Sequence, residues 1–186
     1  PELVGTFYQE ALQYPSLNIR GLSSGWVGEK ARTIVPASAT AEIDIRLVPE
    51  SDGNRLKNLV KKHVENKGFY VMAEVPDRNQ RMKHNKIITI TEGTVTDAFR
   101  TDLDNPYGIY LADTFKKTFS EDVVQIRIMG GTVPIAPFIN ELKIPAFLVP
   151  LVNPDNNQHS PNENLKIGQI AYGIQVFYGI MSNKIE

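Results

Sequence analysis

Thr40-Ala-Glu-Ile-Asp-Ile-Arg-Leu47 decides how this chain is read. Ala41, Ile43, Ile45 and Leu47 alternate with Thr40, Glu42, Asp44 and Arg46, and Ala39 extends the apolar set. Successive side chains of a strand point to opposite faces, so a period of two means one buried face and one polar face. Pro49 stops this strand. Ser51 or Asp52 can cap a helix over residues 54–66, with Leu56, Leu59, Val60, His63 and Val64 inward or near the boundary. Gly68 is placed to end that helix. Upstream, a helical face runs from Glu2 to Leu12 and ends at Tyr14-Pro15, because a residue before proline avoids the α region. Residues 16–22 and 31–35 read as strands on either side of a flexible loop around Trp26, the only tryptophan. Residues 69–75 and 86–91 read as two more, separated by a charged loop over 76–85. The result is a small α+β unit with an antiparallel sheet and helices on one face.

The second half changes character. Residues 93–106 are polar and turn-rich. Helices are expected over 107–119, over 134–142 with proline near the first turn, and over 165–181. β-rich runs over 123–128 and 146–152 lie between them. Alternating helices and strands with short links suggest part of a parallel or mixed α/β sheet. The expected division is residues 1–92 and 93–186.

Bulk properties narrow the functional classes. With 186 residues the chain can build a real core, in one or two domains. A formal net charge of −1 and the absence of a basic stripe argue against a nucleic-acid partner. No apolar run approaches the length of a membrane span. Without cysteine there is no disulfide framework, thiolate metal site or thiol nucleophile. The first residue is Pro1, inside a helical pattern, which suggests a fragment or a processed product and leaves the compartment open.

Three features could carry chemistry. His159 lies in Asn153-Pro-Asp-Asn-Asn-Gln-His-Ser-Pro-Asn-Glu163, a polar loop after an expected strand, where open α/β sheets keep their reactive groups. It reads as a metal ligand or general base, or more plainly as a solvated loop histidine. His63 on a lysine-rich helix and His84 in a basic loop read as structural or solvated. Gly130-Gly131-Thr132-Val133-Pro134 lets a ligand approach the backbone at the start of a helix, or is a simple tight turn. Arg46, on the polar face of the best strand, can hold a carboxylate bidentately, or simply pair with Glu42 or Asp44.

Taken in order, several motifs resemble the dinuclear-zinc peptidase family M20, especially its carnosinase-like dipeptidases. The matching text is Tyr14-Pro-Ser-Leu-Asn-Ile-Arg-Gly21, Ser24-Gly25, Ala31-Arg-Thr-Ile-Val-Pro36, Ala41-Glu-Ile-Asp-Ile-Arg-Leu-Val-Pro49, Gly130-Gly-Thr-Val-Pro134 and Gln158-His-Ser-Pro-Asn-Glu163. The resemblance implies a ferredoxin-like lid domain that mediates homodimerisation over residues 1–92. Residues 93–186 would then be the closing α/β segment of a catalytic domain holding two zinc ions, with manganese or cobalt as alternatives. It implies that His159 is a metal ligand and that Arg46 receives the substrate's terminal carboxylate. Thr33, Gly131 and Thr132 would touch substrate, a peptide or acyl-amino acid hydrolysed by metal-activated water.

The same resemblance exposes a shortage. The family's other ligands are a His-x-Asp pair, a bridging Asp, a Glu-Glu pair that also supplies the general base, and one further acid. None has a counterpart here. One histidine makes no metal site, so these 186 residues alone are expected to be catalytically inactive. Apolar surface is expected to be exposed over residues 146–151 and on the last helix. The alternative is a non-catalytic, self-associating or binding module built on the lid sheet.

Overall fold

In the computed structural model, which describes residues 3–185, the alternating stretch forms strand β2, Ala39–Arg46, paired antiparallel with β1, Ser16–Ser24. The register sets Leu17 opposite Ile45, Ile19 opposite Ile43 and Leu22 opposite Ala41. Ser16 then faces Arg46 and Asn18 faces Asp44, so the ribbon has one apolar and one polar side. The ladder shifts between Ile19 and Gly21, where a bulge restores the alternation that Arg20 would otherwise invert.

Helix α2, Gly53–Asn66, follows. Asp52 is its cap, its carboxylate accepting from the amides of Asn54 (2.9 Å) and Arg55 (3.1 Å). Ser51 instead accepts from the Val48 amide, 3.3 Å away. Gly53 has to lack a side chain, since a Cβ there would lie 2.6 Å from a Val95 methyl. Gly68, at φ +84°, turns the chain out of the helix. Strands β3, Tyr70–Met72, and β4, Ile87–Thr89, pair parallel, as a separate two-stranded sheet.

Four local expectations change. The first helix shortens to α1, Tyr8–Ala11 (Glu2 is outside the described residues). Gly5 in the left-handed region (φ +75°) breaks the helical path, and Glu10 reaches back to accept from the Thr6 amide and hydroxyl. Residues 31–35 form no strand; Gly25 and Gly28 at positive φ, a single 3-10 turn at Gly28–Lys30 and a local Ile34-to-Arg32 bond curl the connection instead. The charged loop over 76–85 holds helix α3, Arg78–Lys83, whose Asp77 and Gln80 form a reciprocal capping box. This gives the crossover that a parallel pair needs. Residues 123–128 and 146–152 join no ladder. A strand exists only through a neighbour, and the Thr101 hydroxyl takes that place at Ala146, bonding both its N–H (3.1 Å) and its carbonyl (2.9 Å).

The chain divides into two units, Pro1–Phe99 with Gly130–Ala136, and Arg100–Met129 with Pro137–Glu186. The fold class is α+β with a small antiparallel sheet. In the second unit α4, Pro106–Phe119, packs on α6, Ile167–Ser182. Thr114, Val176 and Gly179 are buried at this contact. A Cβ on Gly179 would lie 2.6 Å from the Thr118 hydroxyl, which is itself bonded to the Thr114 carbonyl. The Tyr110 hydroxyl meets the carbonyls of Ile180 and Asn183, tying off the end of α6. The outer side of α6 leaves Ile167, Ile170, Ile174, Phe177 and Met181 exposed, as expected, whereas over 146–151 only Leu148 and Pro150 are exposed.

The loop ahead of α6 is closed by Asn153, which is 1% exposed. Its Oδ1 accepts from the Lys166 amide (2.9 Å) and its Nδ2 donates to Asp155 (2.9 Å) and to Asn164 (3.3 Å). Asp155 also pairs with the Lys166 ammonium at 2.8 Å. The hydrogen bond from Lys166, then that from Asn153, holds the Asp155 carboxyl below the usual carboxylate range.

Two outcomes are expected. Gly179→Ala should be less stable than Gly168→Ala by about 1–3 kcal/mol in denaturant unfolding, because position 168 meets nothing within 4 Å and position 179 is overpacked. Equal stability of the two variants would mean that the α4–α6 contact is looser than described. The loop closure at Asp155 should be fully present above the unfolded Asp value of about 3.9 and should weaken as pH falls through the depressed folded value. Amide exchange at Lys166 and Asn164 checks this, and Asp155→Asn should remove the acid-side dependence.

Candidate functional site

Arg46 is the last residue of β2, and the strand alternation puts it on the same face as Asp44. Its Nε lies 2.7 Å from Asp44 Oδ2. Its Nη1 donates to the Thr132 hydroxyl at 2.8 Å. Two residues expected to touch substrate therefore meet, although 86 positions separate them. Among the described residues nothing bonds Nη2. The plainer expectation, an ion pair with Asp44, is also realised, and it leaves a guanidinium edge uncommitted.

Thr132 is presented by an irregular turn. Gly130 and Gly131 precede it, and the Ile135 amide bonds back to the Val133 carbonyl at 2.8 Å. A Cβ on Gly130 would stand 3.4 Å from a Leu12 methyl, an ordinary contact. Helix α5 begins at Ala136 rather than Pro134 and is seven residues long, Ala136–Leu142. Thr33 is exposed in the irregular connection before β2, and no hydrogen bond joins it to Arg46 or Thr132 among the described residues.

His159 sits at the exposed tip of the loop that Asn153 closes. Its φ is +62°, and Asn157 and Asn162 are also left-handed at +58° and +64°. Asparagine and histidine enter that region more readily than most side chains, and three such residues in one loop mark a tightly turned backbone. The Ser160 amide bonds to the Asn157 carbonyl (3.0 Å) and the Asn157 side chain to the Pro161 carbonyl (2.7 Å), which holds the tip. The imidazole makes no hydrogen bond among the described residues, so either ring nitrogen can act as a donor or as a ligand.

The residues present do not amount to a metal centre. Among the described residues no group of three or more His, Asp or Glu side chains is placed to hold an ion. The nearby acid, Asp155, is committed to Lys166 and Asn153. His159 can supply one ligand, and no catalytic step follows from it alone. The other histidines are elsewhere engaged or solvated. His84 stacks flat on Tyr70, centroids 3.8 Å apart, and His63 is exposed on α2.

Sequence reasoning had no place for Asn153, whose identity as a buried loop anchor appears only when Lys166 and Asn164 return to it. Asp44 was visible as an ion-pair partner two residues from Arg46. Its selection over Glu42 was not, because Glu42 pairs with Arg20 across the bulge, at 3.5 Å.

Comparison with known proteins gives similarities of three kinds. Residues 2–70 match the peptidase dimerisation domain of the M20 peptidases. The chain is 26% identical over 174 residues to the Cys-Gly metallodipeptidase DUG1 of Saccharomyces cerevisiae, covering 88% of this chain and 32% of that protein. It is 25% identical over 166 residues to the human Beta-Ala-His dipeptidase, covering 89% of this chain and 30% of that protein. The structure resembles an M20 family metallo-carboxypeptidase from Sulfolobus solfataricus, with TM-score 0.67 and 25% identity over 90% of this chain and 35% of that one. The chain thus spans about a third of the length of the curated relatives it matches. Over residues 2–70 this chain is similar to the M20 peptidase dimerisation domain, and over most of its length it is similar to metallodipeptidases.

Proposed function

We propose that these residues belong to a metal-dependent exopeptidase that hydrolyses a dipeptide or acyl-amino acid. Residues 1–92 act as its lid and residues 93–186 as a segment of its catalytic domain. The observation that carries this reading is Arg46. A guanidinium held by Asp44 at 2.7 Å and Thr132 at 2.8 Å, with Nη2 open, suits a substrate's terminal carboxylate. Thr132 and Gly131 border that position, and Thr33 contributes from the exposed connection. His159 supplies one metal ligand, and the remaining ligands come from beyond these 186 residues. In this reading the ion is zinc, with manganese or cobalt fitting the same donor types. The names of the relatives make Cys-Gly and β-Ala-His the first substrates to try.

The partner is a second copy of the chain. The matched dimerisation domain supports this, as does the uncovered apolar side of the β1–β2 ribbon, where Ile19 is 61% and Leu22 is 77% exposed. A two-stranded ribbon is marginal unless something covers it.

In the full-length protein, His159→Ala should lose bound metal and activity together, as read by metal analysis and dipeptide turnover. Arg46→Ala should keep the metal. It should lose about ten- to a hundredfold in kcat/KM for a dipeptide with a free carboxylate, and far less for its C-terminal amide. Full activity in both variants would overturn the proposal. Leu22→Asp should shift the sedimentation profile from dimer to monomer; an unchanged profile would place the interface elsewhere.

A further inference from the structure

We propose that Asp44 is a positioning residue for carboxylate recognition, acting through Arg46. This rests on the reading of Arg46 given above and extends it to a residue that does not itself touch substrate. The alternation of β2 places residues 44 and 46 on one face, and the register sets them opposite Asn18 and Ser16. Neither cross-strand neighbour carries a charge, so Arg46 is the only cation paired with Asp44 among the described residues. Asp44 is also the less exposed partner, at 29% against 45% for the Arg46 side chain. Its side chain is the shorter of the two, with fewer rotatable bonds to order.

The geometry of the guanidinium gives the consequence. Five N–H groups lie in one plane. Asp44 engages Nε, and the Thr132 hydroxyl accepts one hydrogen from Nη1. Two anchors at different nitrogens fix the plane and leave one Nη1 hydrogen and both Nη2 hydrogens for a ligand. A carboxylate needs two of these in parallel. Without Asp44, a single hydrogen bond to Thr132 leaves the plane free to turn about that contact. Binding must then order the side chain as well as the ligand. Asp44 engages Nε rather than the open edge, so it does not occupy the substrate's place.

The test uses the full-length metal-loaded protein with Cys-Gly, β-Ala-His and the C-terminal amides of both as probes. Variants are Asp44→Asn, Asp44→Glu, Arg46→Ala and the double variant Asp44→Asn/Arg46→Ala. Asp44→Asn should raise KM for the free dipeptide about three- to tenfold. It should change kcat by less than about twofold, and the amide should show much less of the KM effect. Asp44→Glu, which keeps the charge, should recover part of the loss. In the Arg46→Ala background, Asp44→Asn should add nothing, which a merely structural role would not produce. A lower KM in Asp44→Asn would make Asp44 a competitor of the substrate and overturn the proposal. Equal losses on dipeptide and amide, or an undiminished effect in the Arg46→Ala background, would overturn it too. If Arg46→Ala itself fails to distinguish dipeptide from amide, or neither dipeptide is hydrolysed, the underlying function falls. If Arg46→Ala distinguishes them and Asp44→Asn is silent, only the role of Asp44 falls.

Discussion

The register between β1 and β2 is the constraint on which the rest of the first unit depends. A slip of one residue would turn every side chain of a strand to the other face. Leu17 and Ile19 would then face away from Ile45 and Ile43, and Arg46 would leave the side that carries Asp44. The bulge near Arg20 is therefore not a defect. It absorbs one residue so that Leu22 returns to the apolar side, opposite Ala41. Pairing, bulge and alternation together fix the base from which Arg46 reaches Thr132.

That ribbon is incompletely covered. Among the described residues only Val48, Ala136 and Val176 are buried apolar side chains. A helix or sheet with one apolar side has to bury it against something, and a layer left open is a surface for association. The outer sides of the β1–β2 ribbon and of α6 are such layers. In the ribbon this accords with the matched dimerisation domain.

The two candidate residues are held by different physics. Arg46 is positioned by side-chain bonds to a carboxylate and a hydroxyl, each contact charge-assisted. His159 is positioned by backbone, through a loop whose base is tied by a buried asparagine and whose tip adopts left-handed geometry. The first arrangement orients a donor set. The second presents an imidazole whose nitrogens make no hydrogen bond among the described residues.

Much of this was legible in the sequence. The period of two over residues 39–47 set β2 and its polar face. Ser51 or Asp52 at one end and Gly68 at the other marked the bounds of α2, because capping and left-handed turns depend on local chemistry, and the folded chain chose Asp52. The ordered motifs carry the resemblance to the M20 peptidases. Elements that depend on a distant neighbour were not legible. Residues 31–35, 123–128 and 146–152 have strand-like composition but no ladder, since pairing is a property of two segments. The helix hidden in 76–85 needed its capping box to outweigh its charge. The parallel pairing of β3 with β4, the choice of Asp44 for Arg46, the meeting of Arg46 with Thr132 and the return of Lys166 to Asn153 were decided by tertiary structure alone. A sequence states which groups can bond, and only the folded chain brings two distant ones within 3 Å.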